Sequence, residues 1–181
     1  MRIEWTGLRR PSVPAAVEAA IATAAEGAPA DRLLAWAETA DGSTVVAGRH
    51  RLHVTTPVPD AAPVVALSRP WHLVDAGSWD GESDTLTVTW VDGERPTRLV
   101  LPEPGQLPET LRERVQASVV LAEAVDLGNR RTAKVVVRKD LATDRLLSQA
   151  VLPKGVRSAD PGVSEQVRAG LARVREQVGL D

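Results

Sequence analysis

Cysteine, tyrosine and phenylalanine are all missing from these 181 residues, and methionine occurs once. Without cysteine there is no disulfide, no thiolate zinc site and no cysteine nucleophile, and nothing points to an oxidising compartment. Without tyrosine or phenylalanine, the base-stacking platform of RNA-recognition motifs cannot be built. The 5 tryptophans are the only large aromatic side chains, so the core is expected to be Val, Leu and Ala around a few indoles. No apolar run approaches the length of a membrane span, and the start, Met1-Arg2-Ile3-Glu4-Trp5, puts an acid where a secretory signal would begin its apolar stretch. The expectation is a cytoplasmic chain with no integral membrane segment. Gly-x-Ser-x-Gly elbows, phosphate loops and dinucleotide fingerprints are absent too, so no cofactor and no catalytic residue is expected.

What remains is the composition of a globular protein, 43% hydrophobic and 25% charged, which argues against wholesale disorder. The formal net charge of −2 is unevenly spread: residues 1–125 hold 11 Lys and Arg against 17 Asp and Glu, and residues 126–181 hold 11 against 7. A basic carboxy-terminal third marks either a separate binding surface or two parts of one molecule that attract each other.

Residues 11–27 read as a first helix, with Ser12 as cap, Pro14 in the first turn, an alanine-rich run and Gly27 as stop. From residue 31 to 101 the hydrophobic period changes to two. The clearest strand is 84–91, where Leu86, Val88 and Trp90 share one face and Thr85, Thr87 and Thr89 the other. Similar runs at 33–38, 43–47, 52–55, 64–67, 71–78 and 97–101 bring the count to about seven strands. Asp41-Gly42, Asp80-Gly81 and Asp92-Gly93 sit between these runs, and Asp-Gly suits tight hairpins that need positive φ. The three prolines in 57–63 predict a looser connection or an edge. An amphipathic helix is expected over 108–125, carried by Leu111, Val115, Val119 and Ala122 and stopped by Gly128. Strands at 132–138 and 145–152 then form a hairpin. A last helix follows, capped by Asp160, with Pro161 at its first position and Val163, Val167, Leu171, Val174 and Val178 as its apolar stripe.

Seven short antiparallel strands followed by one amphipathic helix resemble the pleckstrin-homology-like (PH-like) fold, as found in bacterial proteins of that type. The resemblance implies an α+β chain: an antiparallel, partly open β-barrel plugged by a helix. On this reading residues 1–30 are an N-terminal helical extension, 31–127 the barrel with its capping helix, and 128–181 a β-hairpin and helix packed on the barrel. Lipid-binding members hold phosphoinositides with basic residues around the first hairpin loop. Here that loop, 39–43, carries Asp41 and no cation, and Arg49 and Arg51 stand far from Arg32, so phosphoinositide binding is not carried over. The family implication that remains is a scaffold for a protein or peptide.

Candidate chemistry is sparse. His50 and His53 straddle a turn and a strand, where side chains at i and i+3 point oppositely, so no shared metal is expected. Asp80, Glu82 and Asp84 alternate like a calcium loop, but Thr85 and Val91 stand where that loop needs Gly and Glu. His72 and Asp75 have opposite parity and make no acid–base pair. Trp36, Trp71, Trp79 and Trp90 read as core, and Trp5 as an anchor or interface residue. The candidate contact surface is the basic cluster Arg130, Arg131, Lys134, Arg138, Lys139 and Arg145, with Lys134 and Arg138 on one strand face. A hairpin with one solvated face, or an edge protected from aggregation by cations, is the favoured explanation of the cluster. The expected function is non-enzymatic binding of a protein or peptide, with a second copy of the chain among the candidates. Binding would use a sheet edge or the barrel–helix groove. The alternative is association with nucleic acid through that cluster and Arg168, Arg173 and Arg175.

Overall fold

The computed structural model describes residues 12–25 and 30–180. The order is α1 (Ala15–Ala24), β1 (Leu33–Glu38), β2 (Thr44–Gly48), β3 (Arg51–Val58), β4 (Ala61–Pro70), a 3-10 turn (Trp71–Leu73), β5 (Val74–Asp80), β6 (Thr85–Trp90), β7 (Thr97–Val100), α2 (Leu107–Ser118), β8 (Val119–Asp126), β9 (Thr132–Lys139), β10 (Leu146–Val151) and α3 (Val163–Gln177). The chain is α+β, with three antiparallel sheets ordered β1-β2-β3-β4, β5-β6-β7 and β10-β9-β8. Among the described residues no sheet closes into a barrel.

The alternation read from the sequence decides the first core. Leu86, Val88 and Trp90 are buried while the threonines between them stay half-exposed. These residues meet Val45, Ala47, Leu52 and Val54 from the first sheet, and Leu107 and Leu111 of α2 lie in the same cluster. Strand β2 is buried along its whole length. Val45 and Ala47 serve that core, and Val46 faces the other way to meet Val17 and Ile21 of α1. A strand covered on both faces therefore reads as Val-Val-Ala without alternation. Pro57 lies beyond the last β2–β3 pair, Thr44↔Thr55, and inside a β3–β4 irregularity, so it removes no ladder bond on the β2 side. The proline-rich stretch is thus the β3–β4 hairpin rather than a loose connection. Residue 27, expected as a helix stop, and Trp5 lie outside the described residues.

The helix expected over 108–125 is corrected: it ends at Ser118, and Val119 opens a strand with ψ 123. The Ser118 hydroxyl donates to the Val115 carbonyl at 2.7 Å, closing the last turn. Leu111 is buried and Val115 packs on the first core, but Val119 and Ala122, the rest of the supposed stripe, are exposed. From Leu121 the period is two. Leu121 and Val125 face α3, and β8 pairs with β9 from Val119↔Arg138 to Asp126↔Thr132. The expected carboxy-terminal hairpin is therefore the β9–β10 part of a three-stranded sheet. Gly128, with φ +75, turns β8 into β9.

The last helix follows its stripe. Val163 and Val174 are fully buried against Val135 and Val137 of β9. Its cap is Gly162 in the left-handed region, with no side-chain bond, and Asp160 instead accepts the Arg157 N–H at 3.0 Å. Helix and sheet approach most closely at Gly170, where an added Cβ would stand 2.5 Å from Val125 Cγ2 and 3.3 Å from Val135 Cγ1. Gly170→Ala is expected to destabilise by about 1 to 3 kcal/mol through overpacking, although Gly→Ala on an open helix face stabilises by about 1 kcal/mol. The urea unfolding midpoint checks this, and an unchanged or raised midpoint would contradict the close approach.

Candidate functional site

Three polar or open places stand out, and the first is built at the entry to β1. The Asp31 carboxylate accepts the N–H groups of His50 at 2.9 Å and Arg51 at 3.1 Å, and lies 3.1 Å from His53 Nε2. His50 Nδ1 is 3.5 Å from the same carboxylate. The two histidines therefore converge on one acid, because His50 sits in the β2–β3 turn and escapes strand parity. Both the His53 and Asp31 side chains are buried, so this cluster ties β1 to the turn. Among the described residues no group of three or more metal-ligating side chains is placed to hold an ion. Asp80 spends its oxygens on the Glu82 N–H and the Ser83 hydroxyl; the hydroxyl and then the N–H hold its carboxyl below the usual range. The acidic run there is a self-bonded hairpin tip.

The second place joins β5, the end of α2 and β9. Arg138 is 1% exposed; its guanidinium donates to Ser118 Oγ at 2.9 Å and to the Asp75 carbonyl at 3.2 Å, with the Asp75 carboxylate 3.7 Å away. Burial pushes this guanidinium below the ordinary arginine value, and the charge of Asp75 opposes that shift. Lys134 also bonds the Asp75 carboxylate. The face shared by Lys134 and Arg138 is thus turned inward onto Asp75. Arg130 is exposed in the β8–β9 turn, and the Arg131 guanidinium stands 3.5 Å from the Gly128 carbonyl. Lys139 pairs with Asp144 at 3.2 Å, and Arg145 is exposed beyond the other end of β9. The basic residues are divided between the two ends of a strand spanning about 23 Å at 3.3 Å per residue, and between them the cations are paired internally. In α3, Arg173 lies 3.6 Å from Glu123.

His72 does not meet Asp75; its Nδ1 stands 4.0 Å from the Asp140 carboxylate, on the β9–β10 connection. Burial pushes His72 below the ordinary value, against the pull of Asp140. Burial would raise the Asp140 carboxyl, but the Ala142 N–H, the Thr143 hydroxyl and His72 together hold it down.

The third place was not singled out from the sequence. Strand β10 pairs with β9 alone among the described strands, and α3 packs across one face of their sheet. Between them lies a groove of about 370 Å³ lined by Ala150, Leu152, Val163, Val167, Leu171 and Arg168, with Ser158 and Ser164 at its border. Val167 and Leu171 belong to the apolar stripe but stay only partly buried, whereas Val163 and Val174 on the same helix are closed off. A second cleft, of about 470 Å³ between α1, β1 and α2, is lined by Glu113 together with Arg32 and Arg114.

The chain matches no protein-family model, no curated protein and no solved structure.

Two outcomes follow from the charged joint and the buried histidine. Asp75→Ala should cost about 3 kcal/mol or more in urea unfolding by leaving Arg138 buried without its counter-ion, and Arg138→Met added to it should recover most of that loss. An Asp75→Ala chain as stable as wild type would contradict the joint. For His72 the folded-state value lies below the ordinary 6.5, so the unfolded chain takes up the proton first as pH falls. Its contribution is complete above that value, shrinks as pH falls through it, and levels off below the folded-state value. Unfolding curves from pH 7.5 downward should show a weaker decline for His72→Gln than for wild type; an identical decline would contradict the sign.

Proposed function

We propose that this chain is a non-enzymatic interaction protein that binds an extended segment of a protein or peptide partner by adding it as a strand to the free edge of β10. The observation that carries this reading is the groove itself. An unpaired strand edge offers a row of N–H and C=O groups, and the half-covered Val167 and Leu171 beside it offer an apolar wall. Backbone pairing supplies affinity in this mode, and pockets for alternate side chains supply selectivity. A volume of 370 Å³ sits at the lower end of the range for ligand sites and suits one apolar side chain of a longer segment.

The PH-like arrangement belongs to the same proposal. Its support is that the first two sheets and α2 share one core, with Leu107 and Leu111 in the same buried cluster as Ala47 and Val88. In the proposal the first two sheets and α2 are the scaffold, and the carboxy-terminal sheet with α3 carries the site. The competing nucleic-acid reading loses its best residues to Asp75, Ser118 and Asp144.

A random heptapeptide library displayed on phage, selected against the full chain, tests this. Ser164 is exposed at the border of the groove, so Ser164→Trp fills it without disturbing the core. Enriched peptides should bind the wild-type chain and lose about tenfold or more in affinity toward Ser164→Trp, a loss of about 1.4 kcal/mol or more. Peptides that bind both chains equally, or no enrichment at all, would overturn the assignment of the groove.

A further inference from the structure

The groove has a charge sign as well as a shape. Arg168 is its one ionisable lining residue; it is exposed, and its only recorded bond is to the neutral Ser164 hydroxyl at 3.4 Å. Among the described residues no carboxylate pairs with it, in contrast to Lys134, Arg138, Lys139 and Arg173. The unit around it, residues 119–181, carries 11 cationic against 8 anionic side chains. Resting on the interaction reading above, we propose that the segment bound between β10 and α3 is acidic. It places an apolar side chain against Val167 and Leu171, and an Asp or Glu side chain from a nearby position on the same face against Arg168.

The spacing follows from strand geometry. Residues i and i+2 of an added strand point to the same side, about 6.6 Å apart. On α3, Val167 and Arg168 are adjacent, and Leu171 is one turn from each, so apolar and cationic surface alternate over a comparable distance. An apolar wall alone would accept any hydrophobic segment in either polarity and register. The guanidinium fixes one register, because a fork of donors meets a carboxylate bidentately and leaves a wrong partner charge unpaired. Arg168 acts here as a specificity residue, with Val167 and Leu171 supplying the area.

The test uses the peptides enriched on the wild-type chain and their synthetic variants, titrated by fluorescence anisotropy. Acidic residues should be over-represented two positions from the apolar anchor. Replacing that acid by its amide should weaken binding about two- to fivefold, as loss of an exposed ion pair does, and replacing it by Lys should weaken it further. Arg168→Glu should reverse the order, so that the Lys peptide binds better than the acidic one. If Ser164→Trp still blocks binding but neither the peptide's acid nor Arg168→Glu changes affinity, the acidic specificity is wrong and the groove assignment survives. If Ser164→Trp has no effect either, both fall. The urea midpoint of each variant shows that it is folded, since residues 164 and 168 are exposed.

Discussion

Arg138 is held by three elements at once, and the placement of the carboxy-terminal sheet depends on it. Its guanidinium bonds the Ser118 hydroxyl, where α2 stops, and the carbonyl of Asp75 on β5, while its own strand is the middle one of the last sheet. A buried guanidinium is costly unless paired and hydrogen-bonded. Asp75 supplies the charge and a carbonyl, and Ser118 a neutral acceptor, so the two terminal nitrogens find these partners only when β5, the end of α2 and β9 come together. The helix-to-strand change at residue 118 and the docking of β8 to β10 are then parts of a single solution.

That docking settles which surfaces stay open. The face of β9 bearing Lys134, Val136 and Arg138 is turned toward β5 and buried in large part, and the opposite face is covered by α3. The close approach at Gly170 draws α3 onto Val125 and Val135, toward the β8 side of the sheet. Coverage near β10 is left incomplete, so Val167 and Leu171 line a groove instead of a closed core. Basic residues that look in the sequence like a surface patch are consumed in building the joint. The cation that remains unpaired in the groove, Arg168, lies on the helix.

Much of the fold was legible because its signals are local. Alternation over 84–91 and the Asp-Gly pairs need only neighbouring residues, and the strands they announce formed within a few residues of expectation. The strand at 71–78 begins instead with a 3-10 turn, since Trp71 is buried and its indole N–H donates to the Gly48 carbonyl at 3.0 Å. What misled was a tie between two periods. Leu111, Val115, Val119 and Ala122 continue a helical stripe, while Leu121, Glu123 and Val125 alternate, and only pairing with β9 decides between them. The role of Arg138 was hidden for a related reason: its partners lie 20 and 63 residues away. The apolar stripe of α3 was plain in the sequence, but that Val167 and Leu171 would be only partly covered depends on how the helix crosses the sheet.

Whether the β10 edge receives a partner strand is decided by amide hydrogen exchange on the free chain and on the chain saturated with a selected peptide. New protection is expected to concentrate in β10, with a smaller effect over residues 163–171 of α3, because an added strand bonds the edge backbone and only leans on the helix. Protection that appears instead on β8 or β4, with β10 exchanging as before, would contradict strand addition at β10.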